Sequence, residues 1–364
     1  MRNKVNLKIF TVFICCFTCC KNEISLGDKT VSKDTFIKDL KNIQEFNKRY
    51  SKEKLKIKNF FIKDLDLKGI EFLDLEAFSL KFTLTNLDYS NIINSKIVDT
   101  NFTQVTFRKA TFKETLFENC IFKNVDFSSS NIIKVTFTNC KFYSCQMTKT
   151  IQRESFFSVV KIKDCEGLNS KMLNLTFEQS EFKDCDFSES AFSNVTFQKS
   201  RFIETSFSES DIKDVFMQLN KLQKISIAQS RIKNLAIEAP NIGIIFALRA
   251  KINNLNLKAN RIEMLNLINT KLKNFKIVSK EIESLVGAVS LIEKGNFVDF
   301  KIEQETIFRG AVFREVNFDN IFFKKLVDIR NADLKKVSFN NSQVDSRTKV
   351  LRDSDTELSK ESIF

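Results

Sequence analysis

One position in every five is large and apolar along most of the chain. From Ser95 to Phe142 the series runs Ile97, Phe102, Phe107, Phe112, Phe117, Phe122, Phe127, Ile132, Phe137, Phe142. Two residues before each sits a small or β-branched side chain, such as Val105, Ala110, Thr115, Cys120, Val125, Ser130, Val135 or Cys140. An amphipathic helix repeats its apolar face every 3.6 residues and a half-buried strand every 2. A period of five fits neither. A fixed short period over this length predicts a solenoid, in which each turn buries its apolar side against the next.

The phase begins near Leu67 and holds through Phe72, Phe82, Leu87 and Ile92 to Ile302. It weakens where Gln152 and Gly167 occupy central positions. Met172 and Phe177 then resume it, which predicts a local loop or dent without net slip. From Leu222 the centres change to Ile and Leu (Ile227, Ile232, Ile237, Ile242, Ile252, Leu257, Ile262, Leu267). The residues two before them alternate large and small: Leu235, Pro240, Ile245, Ala250, Leu255, Asn260, Leu265, Thr270. Two kinds of side are therefore expected to take turns around the coil. After Ile302 the register slips by one to Phe308, Phe313, Phe318 and Phe323, then again to Ile329, Leu334, Phe339 and Val344. Such slips are expected as bulges at corners.

Ala332-Asp333-Leu334 places a small residue, an acid and a Leu in sequence, and Asn101-Phe102, Asp126-Phe127 and Asp186-Phe187 keep the second half of that pattern. In this the chain resembles the pentapeptide-repeat family. The resemblance implies an all-β fold, a right-handed quadrilateral β-helix with one pentapeptide per side and four per turn. Roughly twelve coils at ~4.8 Å, the spacing of neighbouring strands, would make a rod about 58 Å long.

The ends of the chain read differently. Arg2, Lys4 and Lys8 precede an apolar run from Ile9 to Phe17, shorter than the about 20 residues a spanning helix needs. It fits the apolar region of a signal peptide. Phe17-Thr18-Cys19-Cys20, followed by Lys21-Asn22-Glu23, resembles the loose lipobox of spirochaetal lipoproteins. That resemblance implies acylation of Cys20, with Cys19 as second choice, and attachment to the membrane of a bacterial envelope. An uncleaved anchor is the alternative. Residues 1–19 are thus expected as signal peptide and 20–33 as a polar tether. Residues 34–60 follow as cap helix and lead-in, 61–345 as β-helix and 346–364 as a polar, fraying tail. Phe36, Leu40, Ile43, Phe46 and Tyr50 form one helical stripe that would cover the open end of the solenoid. The lysines beside that stripe suggest a membrane-surface helix instead, and Asp34, Asp39 and Glu45 argue against it.

Composition narrows the function. The chain has 39 Phe, one Pro and no Trp or His, so the commonest general base and metal ligand is missing. No nucleophile–base pair, phosphate loop or metal-ligand spacing is visible. No catalytic residue, metal or cofactor is assigned, and the chain is read as non-enzymatic. Cys120, Cys140, Cys145, Cys165 and Cys185 all fall two residues before a centre, in two stacks. Stacked coils bring such pairs within disulfide range, whereas the odd count favours free buried thiols.

The formal charge is +13, of which Arg2, Lys4 and Lys8 would leave with the signal peptide. Positions four pentapeptides apart share a side, which gathers Lys213, Arg231, Lys233, Lys251, Lys271 and Lys273, with Asn194, Asn234, Asn254 and Asn274 beside them. Arg201, Lys221, Lys224 and Arg261 fall opposite. The first group suits an anionic partner such as a glycan, anionic lipid or acidic protein; the alternative is a solvated face that keeps the rod soluble. Nucleic acid is disfavoured, because exposed aromatics for base stacking are lacking there. Between these sides lie Ala228, Phe246, Leu248, Ile268, Val286 and Ala288. They form either a contact strip, buried by the homodimerisation that the family resemblance implies, or a local register change around Ile244 to Leu248 that turns some of them inward.

The reading is a lipid-anchored rod that presents fixed ladders of side chains for binding or scaffolding. Family members that modulate type II topoisomerases by mimicking DNA do so with an acidic surface, which a basic, exported chain does not match. An envelope enzyme working through carboxylates is the remaining alternative.

Overall fold

The structure is a computed structural model that describes residues 22–354, 356 and 363. The signal peptide and both candidate acylation sites, Cys19 and Cys20, lie outside those residues. The chain forms a right-handed quadrilateral β-helix of about 15 turns. Successive coils pair as parallel strands, each residue with its counterpart four pentapeptides on: Phe82 with Phe102, Phe102 with Phe122, Phe122 with Phe142. In a typical coil three sides are short strands, Thr111–Lys113, Leu116–Glu118 and Ile121–Lys123. The fourth closes in a turn in which the Ser130 N–H donates to the Phe127 carbonyl at 2.9 Å.

The five-residue period follows from what each position meets. Central phenylalanines point inward and stack on their counterparts one coil away. Ring centroids lie 5.1, 5.0 and 4.7 Å apart along Phe82–Phe102–Phe122–Phe142. Neighbouring sides meet edge to face, as Phe117 meets Phe122 at 5.6 Å. Each buried Phe contributes about 1.5–3 kcal/mol from area alone, and these geometries add to it.

The small position two residues earlier does a second job. From Ser170 to Ser230 its hydroxyl commonly accepts the backbone N–H of its counterpart one coil back and donates to a carbonyl on that coil, while Ser90 and Ser130 lack such partners among the described residues. Ser190 Oγ accepts from Ser170 N at 3.0 Å and donates to Gly167 O at 3.0 Å. Ser210 Oγ accepts from Ser190 N at 3.1 Å. Hydroxyls here satisfy backbone groups that would otherwise be buried unpaired, whereas later coils fill the same position with Leu235, Ile245, Leu255 and Phe275.

Two residues after most centres the backbone turns through the left-handed region, for example at Asp99 (φ 52°), Asn119 (54°) and Asn139 (51°). Asn and Asp tolerate that conformation. Here they also form ladders, with Asn119 Nδ2 donating to Asp99 at 3.1 Å and Asn139 Nδ2 to Asn119 at 2.8 Å.

The weak stretch keeps register, and Ile151–Arg153 pairs with Lys171–Leu173. No loop forms. Gln152 points inward, and the ring of Phe187 fills the space above Gly167, where a Cβ would lie 2.5 Å from Phe187 Cδ1. The dent is an internal cavity of about 20 Å³ lined by Gln152 and apolar side chains.

Three expectations need correction. First, Pro240 and Asn260 do not face the core. A register shift pairs Ser200 with Leu219, so Leu219, Ala239, Ala259 and Ser279 turn inward and the next residues face solvent. The large-and-small alternation survives with Ala239 and Ala259 in those places. Second, the cap is two helices, α1 (Lys33–Leu40) and α2 (Ile43–Tyr50), because Asn42 starts α2 by accepting from Glu45 N. Phe36, Leu40, Phe46 and Tyr50 are buried, and Phe36 and Phe46 pack edge-on against Phe60 and Phe72 of the first coils. The apolar stripe is therefore spent on the core. Third, the expected tether contains a hairpin, β1 (Glu23–Leu26) and β2 (Lys29–Thr30). β1 pairs antiparallel with β3 (Leu55–Lys58) and covers its edge, with Ile24 buried.

The solenoid is longer than its expected bounds at both ends. β3 already belongs to it, pairing with Glu76–Phe78, and Lys349–Leu351 still pairs with Leu326–Asp328. Beyond that, Thr356 Oγ1 donates to Ile329 O at 3.2 Å and Ile363 packs against the core, so parts of the tail fold back. The two slips after Ile302 occur at one corner of consecutive coils, each of which takes in one extra residue: Ser284 pairs with Glu305, then Thr306 with Val327.

Replacing Phe122 by Asp places an unpaired charge inside the stacked rings and should remove at least ~3 kcal/mol of stability. Thermal unfolding followed by circular dichroism checks this; a melting curve like that of the wild type would refute the inward assignment.

Candidate functional site

Between residues 211 and 294 the four sides carry different chemistry. On the first side, two outward columns flank the buried Ile212, Ile232, Ile252 and Leu272. One column runs Asp211, Arg231, Lys251, Lys271 and the other Lys213, Lys233, Asn253, Lys273, each member the strand partner of the next. The six expected basic residues are thus together and all exposed. Neighbours in a column lie ~4.8 Å apart at the backbone.

Counter-charges sit at the two ends of this side, Asp211 and Asp214 at one and Glu293, the strand partner of Lys273, at the other. Arg231 grips Asp211 with two hydrogen bonds, Nε at 2.6 Å and Nη2 at 2.8 Å, which holds the Asp211 carboxyl below its usual range. Lys213 lies 3.9 Å from Asp214. Lys233, Lys251, Lys271 and Lys273 make no ion pair among the described residues. Beside them, Asn234 donates to Asp214 at 2.6 Å and Asn254 to Asn234 at 2.9 Å, an amide ladder along the corner.

The opposite side is different. Arg201 pairs with Glu181 at 3.4 Å and Lys224 with Glu204 at 2.7 Å. Arg261 pairs with Glu281 at 3.1 Å and also with Glu283. Only Lys221 of that group is without an ion pair among the described residues. Cation plus carboxylate one coil away leaves little net field. Sequence reasoning groups the cations correctly and misses their neutralisation, although Glu181, Glu204 and Glu281 each stand one full coil along the chain from their partners.

On the side between them, Phe246 and Leu248 flank the buried Ala247 and point outward, half-buried. The register runs through unbroken, with Ser226, Phe246, Asn266 and Val286 as successive partners. Ile268, Ala228 and Ala288 are likewise half-buried, and Val286 is buried at 8 % exposure. Lys224 Nζ lies 6.0 Å from the Phe246 ring centre, so this strip borders the charged side.

The five cysteines are free thiols in the inward small position. They act there as serines do: Cys145 N donates to Cys165 Sγ at 3.3 Å and Cys185 Sγ donates to Ile162 O at 3.4 Å. The hydrogen bond to Cys140 and burial push the Cys120 thiol up, and burial pushes Cys185 up to about 12. Cys120 and Cys185, held protonated in a packed core, are poor nucleophiles and metal ligands.

Eight copies of the pentapeptide repeat match the corresponding family profile, over residues 85–124, 120–151 and 176–218. No curated protein matches the chain. Among solved structures it is similar to full-length QnrB1, a plasmid-mediated fluoroquinolone resistance protein, at 12% identity over 62% of this chain and 93% of that one, with a TM-score of 0.19. It is similar to HetL, a pentapeptide repeat protein involved in heterocyst differentiation regulation from the cyanobacterium Nostoc sp. strain PCC 7120, at 10% identity over 82% and 97% of the two chains, TM-score 0.22. The Streptococcus pneumoniae surface protein and adhesin PfbA matches at 10% identity over 80% and 90%, TM-score 0.29.

Proposed function

We propose that this member of the pentapeptide-repeat family is a non-enzymatic, lipid-anchored rod of a bacterial envelope that docks an anionic partner along its basic side. The observation that carries this reading is the asymmetry between opposite sides. Lys233, Lys251, Lys271 and Lys273 are exposed and make no ion pair among the described residues, whereas Arg201, Lys224 and Arg261 are each matched by a carboxylate. Charges held a few ångströms apart on a rigid face sum into a field that attracts and orients a polyanion. No side chain needs to move for this, since stacked coils fix the ladder before the partner arrives, and a preformed site avoids part of the ordering cost of binding. The envelope location rests on the apolar run Ile9–Phe17 and on Cys20. A basic surface does not suit DNA mimicry.

The triple change Lys251→Glu, Lys271→Glu, Lys273→Glu should weaken binding of polyphosphate at least about tenfold, while Lys221→Glu with Arg261→Glu should change it little. Affinity of the wild type should fall steeply as salt is raised. Titration calorimetry at two salt concentrations measures both effects; equal losses from the two sides would contradict the assignment. For the anchor, radiolabelled palmitate should enter the wild type and not a variant with Cys19→Ala and Cys20→Ala, and continued labelling of that variant would exclude acylation at either position.

A further inference from the structure

At the corner between the basic side and the next side lies a shallow, wide-open groove of about 480 Å³ that runs across four successive coils. Its walls carry Asn254, Asn256, Asn274, Lys276, Asn296 and Asn317. Asn256, Lys276, Asn296 and Asn317 are strand partners in series and so form one outward column. The floor is Leu255, Phe275 and Gly295. These three stand in the inward column that continues to the buried Val316, and the missing Cβ of Gly295 leaves core space for the Phe275 ring, which a Cβ would meet at 2.2 Å.

The amides are only partly used. Asn254 Nδ2 donates to Asn234 at 2.9 Å, Asn274 Nδ2 to Asn253 at 2.7 Å and Asn317 Nδ2 to Asn296 at 2.9 Å. Each amide has two N–H donors and a carbonyl oxygen with two lone pairs, so donors and acceptors remain for a ligand. Asn256 makes no side-chain hydrogen bond and Lys276 no ion pair among the described residues. Lys294 lies 3.8 Å from Glu315 on the groove wall. The groove thus offers donors, acceptors and an ammonium group in a row, beside the free lysines of the basic side.

That combination selects among anions. A phosphate polymer accepts hydrogen bonds and donates none, so the amide oxygens would be covered without a partner, a costly outcome. A chain of acidic sugars carries hydroxyls that both donate and accept, and carboxylates that match the lysines. We propose that the groove binds an acidic oligosaccharide of the uronic-acid class, laid along the rod axis with its carboxylates toward Lys276 and the basic side. The proposal names the ligand class of the docking surface and rests on that reading.

The test is titration of the full-length chain with an oligogalacturonate, a neutral dextran oligomer of equal length and polyphosphate. Oligogalacturonate should bind, and the dextran oligomer should not. Asn256→Ala should weaken the oligogalacturonate about tenfold, in line with loss of hydrogen bonds to a charged ligand, and leave polyphosphate unchanged within about twofold. Asn256→Asp should weaken oligogalacturonate further. Because Asn256 is exposed and unbonded among the described residues, a melting curve matching the wild type confirms that the variants fold. Oligogalacturonate that fails to bind, or that binds regardless of Asn256, overturns the proposal. If polyphosphate still binds through Lys251, Lys271 and Lys273, the docking surface stands and only the ligand class falls. If no polyanion binds, both fall.

Discussion

Parallel stacking of each coil on the one before is the constraint on which everything else depends. A residue can be inward only if its counterpart on the adjoining coil is also inward, so no coil chooses its shape alone. The structure shows this most clearly where the rule is disturbed. Once Ser200 pairs with Leu219, the altered corner recurs at Ala239, Ala259 and Ser279. The extra residue before Thr306 is followed by another before Val327, directly above it. A bulge placed on one coil leaves the next without partners for its backbone groups, and repeating the bulge restores them. What a sequence shows as two independent slips is one structural defect carried upward.

The same constraint explains the core. Rings repeated on one column meet face to face at about the coil spacing, and rings on adjacent sides meet edge-on, so one residue type fills the interior in two orientations. The small inward position then takes Ser, Thr or Cys interchangeably, because each can bridge backbone groups of neighbouring coils. The five buried cysteines are explained by packing and hydrogen bonding, without recourse to disulfide or metal chemistry.

Much of this is legible in the sequence. The period of five places the inward residues from Leu67 to Ile302, and the return of each side after four pentapeptides brings Lys213, Arg231, Lys233, Lys251, Lys271 and Lys273 onto one face. It misplaces Pro240 and Asn260 because a corner can shift by one residue without disturbing the centres on either side, Ile237 and Ile242. The cap reads as one helix because its apolar stripe is continuous from Phe36 to Tyr50; the break depends on Asn42 preferring a capping role to a helical one. The hairpin at Glu23–Thr30 has no periodicity to betray it, since only Ile24 of β1 is buried. The groove at Asn256 and Lys276 is invisible for another reason. It depends on adjacent columns seen together.

The central claim, that coils of four pentapeptides stack in strict register, is tested most directly by comparing two deletions. Removing residues 96–115 takes out one whole coil, since Lys96, Leu116 and Thr136 are successive partners. Removing residues 96–113 takes out nearly as much chain and breaks the phase. The first variant should fold and melt cooperatively close to the wild type, and the second should lose its cooperative transition. Two variants that melt alike, whether both folded or both unfolded, would contradict the stacked-register account.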